Sequence, residues 1–261
     1  MTMRLQAATV RFGAVTALED ASVDIQPGVV TAVIGPNAAG KSTLLRVLAG
    51  LQRLQAGVVS IDGTDLASMP ARDRARRIGF LAQRGGVSGP FLTREVVGFG
   101  GFALASGRHG FHGVDAAIDA VGLTADADRP LNQLSIGQQQ RAGLARALVQ
   151  VDPAAGGLLL LDEPFSAQDP REIERIAAIL EAFAAAGGGV VAAMHEVGVA
   201  WSVADHAVLL AGGAVIDAGE IESVLSPRAL ESLFGTRFVP SEHGPVPASR
   251  RRNDASAPAD G

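Results

Sequence analysis

Short apolar runs separated by helical patterns dominate the chain and predict an α/β fold. Residues 29–34, 158–161 and 190–194 are almost continuously apolar, and residues 78–82 have the same character. Runs of this length and composition are typical of strands buried on both faces of a parallel sheet. Ligands bind at the carboxyl ends of such strands, so the residues that follow each run are the first candidates for a functional site.

The remaining pattern divides the chain into parts. Residues 5–12 and 21–25 alternate with turn signals and predict antiparallel strands ahead of the first buried strand. Helical patterns at 70–77, 93–99, 114–121 and up to about Val149 predict a helical subdomain over residues 88–150, inserted between core segments 1–87 and 151–238. Residues 239–261 have the composition of a disordered tail.

A glycine-bounded loop follows the first buried strand and leads into a helical pattern. It matches the phosphate-binding pattern G-x-x-x-x-G-K-[ST] in full, which predicts ATP contacts from Gly35, Pro36, Asn37, Ala38, Ala39, Gly40, Lys41, Ser42 and Thr43. Lys41 can reach the β and γ phosphates, and Ser42 can hold Mg²⁺. Lys41 is the only lysine among the 22 basic residues, and arginine does not replace a compact ammonium inside a phosphate cradle.

Acidic residues and a histidine end two further buried strands. Asp162 and Glu163 follow residues 158–161, where Asp162 is suited to Mg²⁺ and Glu163 can take a proton from an attacking water. His195 follows residues 190–194. A lone histidine at a strand end is usually structural, but its place beside Glu163 and Gln83, which ends the strand at 78–82, favours a role as a γ-phosphate sensor.

Two features leave alternatives open. Phe12 is either a core residue of its strand or an aromatic face for a purine base. The pentad Leu-Ser-Ile-Gly-Gln at 134–138 places Ser135 and Gln138 at capping-box spacing, so taken alone it predicts a well-capped helix.

Composition excludes several classes of function. The net charge of −5 and the absence of a basic stripe, apart from the triplet at 250–252, argue against nucleic acid as the main partner. Zero cysteines exclude disulfides and thiolate chemistry. The apolar runs fall short of the roughly 20 residues that cross a bilayer, and no hydrophobic signal segment begins the chain, so secretion is not indicated.

Together these motifs resemble the nucleotide-binding subunit of an ATP-binding-cassette (ABC) transporter, over residues 3 to about 238. Six motifs stand in the family's order: the loop at 35–42, Gln83, the signature pentad at 134–138, the acidic strand at 158–163, the loop at 166–169 and His195. The resemblance implies a P-loop NTPase (RecA-like) core with an N-terminal antiparallel β subdomain and an inserted α-helical subdomain. It also implies ATP hydrolysis with Mg²⁺.

The resemblance also implies partners. Two cassettes form a head-to-tail dimer, in which Ser135, Gly137 and Gln138 of one copy close over the nucleotide of the other. Gln83 would bind Mg²⁺ and link it to membrane permease subunits, which place the chain at the cytoplasmic face of the membrane. A substrate-binding protein would act indirectly.

Three positions depart from the family pattern. Ile136 stands where the family usually has glycine, which is costly if that position needs a positive φ and could slow hydrolysis. Gln168 stands where leucine is usual, which leaves communication across the dimer open. Ala38 replaces a common glycine, which costs nothing wherever φ is negative.

Residues 129–133 and 225–235 are similar to those of the importer ATPases for iron-siderophores, haem and cobalamin. Manganese and zinc importer cassettes share much of this pattern and stay an alternative. A non-transport ABC ATPase would predict tandem cassettes, a coiled-coil insert or a basic face, none of which the sequence shows. A weakly hydrolysing, ATP-gated scaffold is the second alternative, suggested by Ile136 and Gln168.

Overall fold

Strands and helices follow one another along most of the chain. The structure, a computed structural model, describes residues 1–83, 89–104 and 113–248. Its strands are β1 (Met3–Phe12), β2 (Val15–Ile25), β3 (Val30–Ile34), β4 (Ala56–Ile61), β5 (Thr64–Asp65), β6 (Ile78–Leu81), β7 (Leu158–Asp162), β8 (Gly189–Met194), β9 (His206–Ala211), β10 (Ala214–Glu220), β11 (Phe238–Val239) and β12 (Val246–Pro247). Its α-helices are α1 (Lys41–Leu48), α2 (Ala71–Arg77), α3 (Thr93–Gly98), α4 (Val114–Ala120), α5 (Ile136–Gln150), α6 (Pro170–Ala185), α7 (Val197–Val203), α8 (Ile221–Val224) and α9 (Pro227–Phe234).

A six-stranded sheet lies at the centre, in the order β10-β9-β3-β8-β7-β6. The five strands from β9 to β6 run parallel, and β10 joins the edge antiparallel to β9. Every residue of β3, β7 and β8 is buried, as their continuous apolar sequences predict. The carboxyl ends of β3, β6, β7 and β8 therefore lie side by side along one edge of the sheet.

A second sheet, in the order β2-β1-β4-β5, is antiparallel throughout. This confirms the prediction of antiparallel strands at the N-terminal end. β1 and β2 are longer than predicted. Bulges interrupt their pairing, and Ala7 at φ +49° breaks the alternation of buried and exposed residues that predicts a strand from sequence. The inner face of this sheet shares a hydrophobic core with α1 and one face of the central sheet.

The helical insert contains α3, α4 and α5. Its buried residues, among them Val97, Ile118 and Leu144, belong to the same hydrophobic core as Leu159 and Val190 of the central sheet. The insert is therefore packed onto the sheet rather than built around a core of its own. Its boundaries at 88 and 150 stay predictions. None of the helices in the described ranges has the length and apolar character that crossing a membrane requires.

The prediction of disorder from residue 239 onward is wrong for residues 239–248. β11 and β12 pair in this segment, and Phe238 is buried against Phe234 of α9. Gly244 lies directly on the Trp201 ring, where an added Cβ would come within 2.4 Å of the indole. The contacts of Phe238 and Trp201 hold residues 239–248 in place, although the Pro, Ser and Gly content of this segment is typical of disorder. Residues 249–261, with the triplet at 250–252, lie outside the described residues.

Candidate active site

The loop between β3 and α1 passes very close to the backbone of its neighbours. A Cβ at Gly35 would lie 2.1 Å from the carbonyl oxygen of Leu210. Gly40 caps α1 at φ +107°, and a Cβ there would lie 2.4 Å from the carbonyl oxygen of Ala17. Only glycine fits at these distances, so the packing of the loop explains both glycines of the motif.

We expect Gly40→Ala to lower the free energy of unfolding by about 2 kcal/mol more than Gly63→Ala does. Both glycines have positive φ, +107° and +79°, but a Cβ at Gly63 meets nothing within 4 Å. The comparison thus isolates the close approach to Ala17 from the cost of a left-handed backbone. Urea unfolding of both variants measures the difference, and equal losses would contradict the role of this contact.

Ala38 corrects one expectation from the sequence. Its φ is +62°, in the left-handed region that favours glycine, so alanine here is not free of cost. Such a backbone costs an L-residue on the order of 1 kcal/mol. The loop between β3 and α1 therefore holds an alanine in a backbone conformation that glycine adopts more easily.

The Lys41 ammonium is held inside the loop that precedes it. Lys41 is 6% exposed, and its Nζ donates to the carbonyl oxygens of Gly35 (2.7 Å) and Pro36 (3.0 Å). Burial lowers the pKa of Lys41, while the charges of Glu163 and Asp162 oppose the shift. The cation is thus placed at the end of β3 by backbone carbonyls and neighbouring carboxylates, where phosphate oxygens could replace the carbonyls as its partners.

Ser42 and Asp162 form the part of the site that fits Mg²⁺. Ser42 Oγ donates to Asp162 Oδ1 at 3.1 Å. Asp162 is 1% exposed, and its Oδ2 is buried without a hydrogen-bond partner among the described residues. Burial raises the pKa of Asp162, and the Ser42 hydroxyl and the Gln83 backbone lower it. A hydroxyl beside a carboxylate with one unused oxygen fits Mg²⁺, which keeps several waters and takes few protein ligands.

Glu163 and His195 follow the neighbouring strands β7 and β8, and their side chains are hydrogen-bonded. His195 Nε2 hydrogen-bonds Glu163 Oε1, and His195 Nδ1 lies 3.5 Å from Lys41 Nζ. Because an ammonium only donates, Nδ1 accepts, which assigns the imidazole hydrogen to Nε2 and directs it to Glu163. The three side chains form a line across the ends of β3, β7 and β8, as expected for residues that follow neighbouring parallel strands.

Most of the residues predicted to bind the nucleotide line one cleft of about 800 Å³. It is lined by Phe12, Val15, Thr16, Ala17, Asn37, Ala38, Ala39, Gly40, Lys41, Ser42, Thr43, Gln83, Glu163 and His195. Phe12 is 49% exposed at the end of β1, so it is not a core residue of its strand. Of its two interpretations, the aromatic face for a base is the one that this position supports.

The signature pentad lies away from this cleft. Ser135 and Gln138 form the capping box: Ser135 Oγ accepts from the Gln138 N–H, and Gln138 Oε1 accepts from the Ser135 N–H. Gln138 Nε2 also donates to Asp126. The predicted cap is confirmed. Within one chain Ser135, Gly137 and Gln138 are not among the residues that line the cleft, so their contact with nucleotide stays a prediction for a second copy.

Ile136 carries none of the backbone strain considered from the sequence. It is the first residue of α5 and is not among the residues with positive φ, so a β-branched side chain is accepted there. The side chain is 71% exposed, beside Ser135. The departure from glycine therefore changes the surface of the signature rather than its backbone.

Gln140 is a site residue that sequence reasoning missed. It is 9% exposed, and its Nε2 donates to the backbone carbonyl of Glu163 at 3.4 Å. The sequence offers one signal, a glutamine on the otherwise apolar buried face of α5. Its partner lies 23 residues away, beyond the reach of any local pattern.

Comparisons with known proteins agree with this geometry. A family model described as ABC transporter matches residues 18–166. Hemin import ATP-binding protein HmuV of Rhizobium meliloti (strain 1021) is 39% identical over 236 residues, which cover 88% of this chain and 90% of that protein. The protein of the same name from Pseudomonas entomophila (strain L48) is 38% identical over 233 residues, covering 88% and 91%.

Solved structures share the fold. A dimeric ATP-binding cassette in a post-hydrolysis state, bound to ADP and Pi, superposes with a TM-score of 0.73 at 26% identity and covers 84% of this chain and 99% of that one. An ATP-binding subunit of an ABC transporter, at 22% identity, superposes with a TM-score of 0.75 and covers 91% and 96%. The second likeness concerns the fold alone.

Proposed function

Because the chain belongs to the ABC transporter family, we propose that it is the ATP-hydrolysing subunit of a membrane importer for a metal chelate, with haem as the first candidate substrate. One observation carries the enzymatic part: Lys41, Glu163 and His195 lie together at the ends of three parallel strands, in a cleft that the phosphate-binding loop borders. Relatives named as hemin import proteins, which match nearly nine tenths of the chain, support the substrate.

The chain's own side chains fit the steps of phosphoryl transfer. Lys41 neutralises charge on the transferred phosphate, and Glu163 accepts a proton from the attacking water. The imidazole of His195 donates to Glu163 and so fixes the orientation of its carboxylate. The sheet edge thus places Glu163 and His195 before ATP binds, while the Lys41 ammonium exchanges its carbonyl partners for phosphate oxygens.

Mg²⁺ would be held by the Ser42 hydroxyl, with Asp162 acting on its waters and Gln83 approaching from the end of β6. When bound, Mg²⁺ would supply positive charge that offsets the charge of the phosphates. The buried Oδ2 of Asp162, which has no hydrogen-bond partner within residues 1–83, 89–104 and 113–248, supports this assignment.

A second copy would complete the site. Ser135 and Gly137 lie outside the cleft of their own chain, and a relative of known structure is a cassette dimer, which supports nucleotide contacts across a head-to-tail dimer. The chain would be attached to the cytoplasmic face of the membrane through permease subunits. A substrate-binding protein would deliver the metal chelate to those subunits.

The test is transport by the chain with its own permease. The tagged full-length chain is purified from its native membranes in mild detergent, and the complex is reconstituted in liposomes. We expect ATP-dependent uptake of haem in preference to ferric siderophore and cobalamin. ATP-dependent uptake of Mn²⁺ or Zn²⁺ alone would contradict the substrate, and full uptake without phosphate release would contradict the ATPase.

We expect Phe12→Ala to weaken ATP binding about tenfold, because stacking of a base on an aromatic ring contributes on the order of 1–3 kcal/mol. The rate at saturating ATP should stay near that of the unsubstituted chain, since Phe12 has no part in the contacts among Lys41, Glu163 and His195. Titration with a fluorescent ATP analogue measures the affinity. Val15→Ala, at another exposed residue of the same cleft, is the control, and equal effects in both would contradict stacking.

A further inference from the structure

The loop that follows Glu163 is held in a strained shape against α5. Glu163 (φ +58°) and Ala167 (φ +57°) both adopt the left-handed backbone that non-glycine residues avoid. The first turn of α5 packs directly on this loop, since a Cβ at Gly137 would lie 2.6 Å from the carbonyl oxygen of Ala167. Strain of this kind persists only where neighbouring groups fix the chain.

The Gln168 amide supplies that fixation. Its Nε2 donates to the carbonyl oxygen of Gly137 (3.1 Å) and to Gln140 Oε1 (3.3 Å). Its Oε1 accepts from Arg141 Nη1 at 2.8 Å. The amide nitrogen of Gln168 therefore donates two hydrogen bonds, and its oxygen accepts one. Leucine could make none of these bonds, and glutamate only the last of them.

The partners of Gln168 are themselves fixed. Gln140 is buried, and its Nε2 donates to the carbonyl oxygen of Glu163 at 3.4 Å. Arg141 Nε donates to the carbonyl oxygen of Val121 at 3.0 Å and lies 3.5 Å from Glu172 Oε2 of α6. The network thus runs from α6 through the first turns of α5 to the backbone of Glu163.

We propose that Gln168 is a positioning residue that makes the Glu163 loop and the first turn of α5 move as one unit. The inference rests on the proposed function, in which Glu163 acts on the nucleotide of its own copy and Ser135 and Gly137 close over that of the partner. Gln168 then fixes the backbone of Glu163 relative to the first turn of α5, which carries Gly137 next to Ser135. It does so through bonds that the usual leucine of the family cannot form.

The experiment uses the full-length chain with Gln168→Glu and Gln168→Leu. We expect both to lower kcat about tenfold, because a small misplacement of a reacting group has effects of this size or larger. Glutamate should be the more damaging, since it sets a carboxylate oxygen against two acceptors. The Kd of a fluorescent ATP analogue should stay within twofold, as the cleft is unchanged. In a Glu163→Gln background, either change should reduce the ATP-driven dimer seen by light scattering.

Gln26→Glu is the matched control. Gln26 is exposed in the turn at the opposite end of β3, and its side chain makes no hydrogen bond with the described residues. A kcat within twofold of the original in Gln168→Leu overturns the proposal whatever Gln168→Glu does, because leucine removes the bonds without adding a charge. Failure of the proposed function looks different: the unsubstituted chain itself would release no phosphate and form no ATP-driven dimer.

Discussion

Replacing Glu163 by glutamine is expected to lower the rate of ATP hydrolysis about a thousandfold, because a positioned general base contributes 10²- to 10⁴-fold. The change keeps the shape of the side chain, and His195 Nε2 can still donate to its oxygen. ATP binding should persist, since Lys41 would still contact the phosphates and Ser42 would still hold Mg²⁺. Steady-state phosphate release measures the rate, and a fluorescent ATP analogue measures the affinity.

The same variant should accumulate as an ATP-bound dimer, because the closed state forms but cannot hydrolyse. Glu181→Gln is the control: it makes the same chemical change on the exposed side of α6. Turnover near that of the unsubstituted chain in Glu163→Gln would show that another group takes the proton. Loss of both ATP binding and turnover would show that Glu163 is needed to maintain the structure of the cleft rather than to accept a proton.

Much of the site could be predicted because it follows from periodicity and strand ends. Three continuous apolar runs gave buried strands, and parallel strands bring the residues after them to one edge. That places Lys41, Glu163 and His195 together without knowledge of any long-range contact. The Ser135 cap of α5 is equally local, because its hydroxyl accepts from an N–H only three residues along the chain.

The rest depends on contacts between distant residues. Gln168 meets Gly137 across 31 residues and Gln140 across 28, and nothing local distinguishes it from a solvent-exposed glutamine. The positive φ of Ala38 is set by the path of the loop rather than by alanine's own preference. Residues 239–248 are ordered because Phe238 is buried, and the composition of the segment does not reveal that burial.

Lys41→Arg is expected to abolish detectable ATP binding, with a loss of about a hundredfold or more in affinity. Lys41 is 6% exposed, and its Nζ sits between two loop carbonyls at 2.7 and 3.0 Å. A guanidinium is wider and planar, so it cannot enter the same space without displacing the loop. Because arginine keeps the positive charge, a loss of binding in this variant is due to the shape of the side chain and not to its charge. Nucleotide titration and phosphate release measure the two effects.

Lys41→Ala removes the charge without adding bulk, so a weaker defect than in Lys41→Arg would identify the shape of the cradle as the larger factor. Arg53→Lys makes the reverse exchange at an exposed residue outside the cleft and should change neither affinity nor rate. If Lys41→Arg bound ATP within threefold of the original chain, the cradle would not require an ammonium. The single lysine of this arginine-rich sequence would then need another explanation.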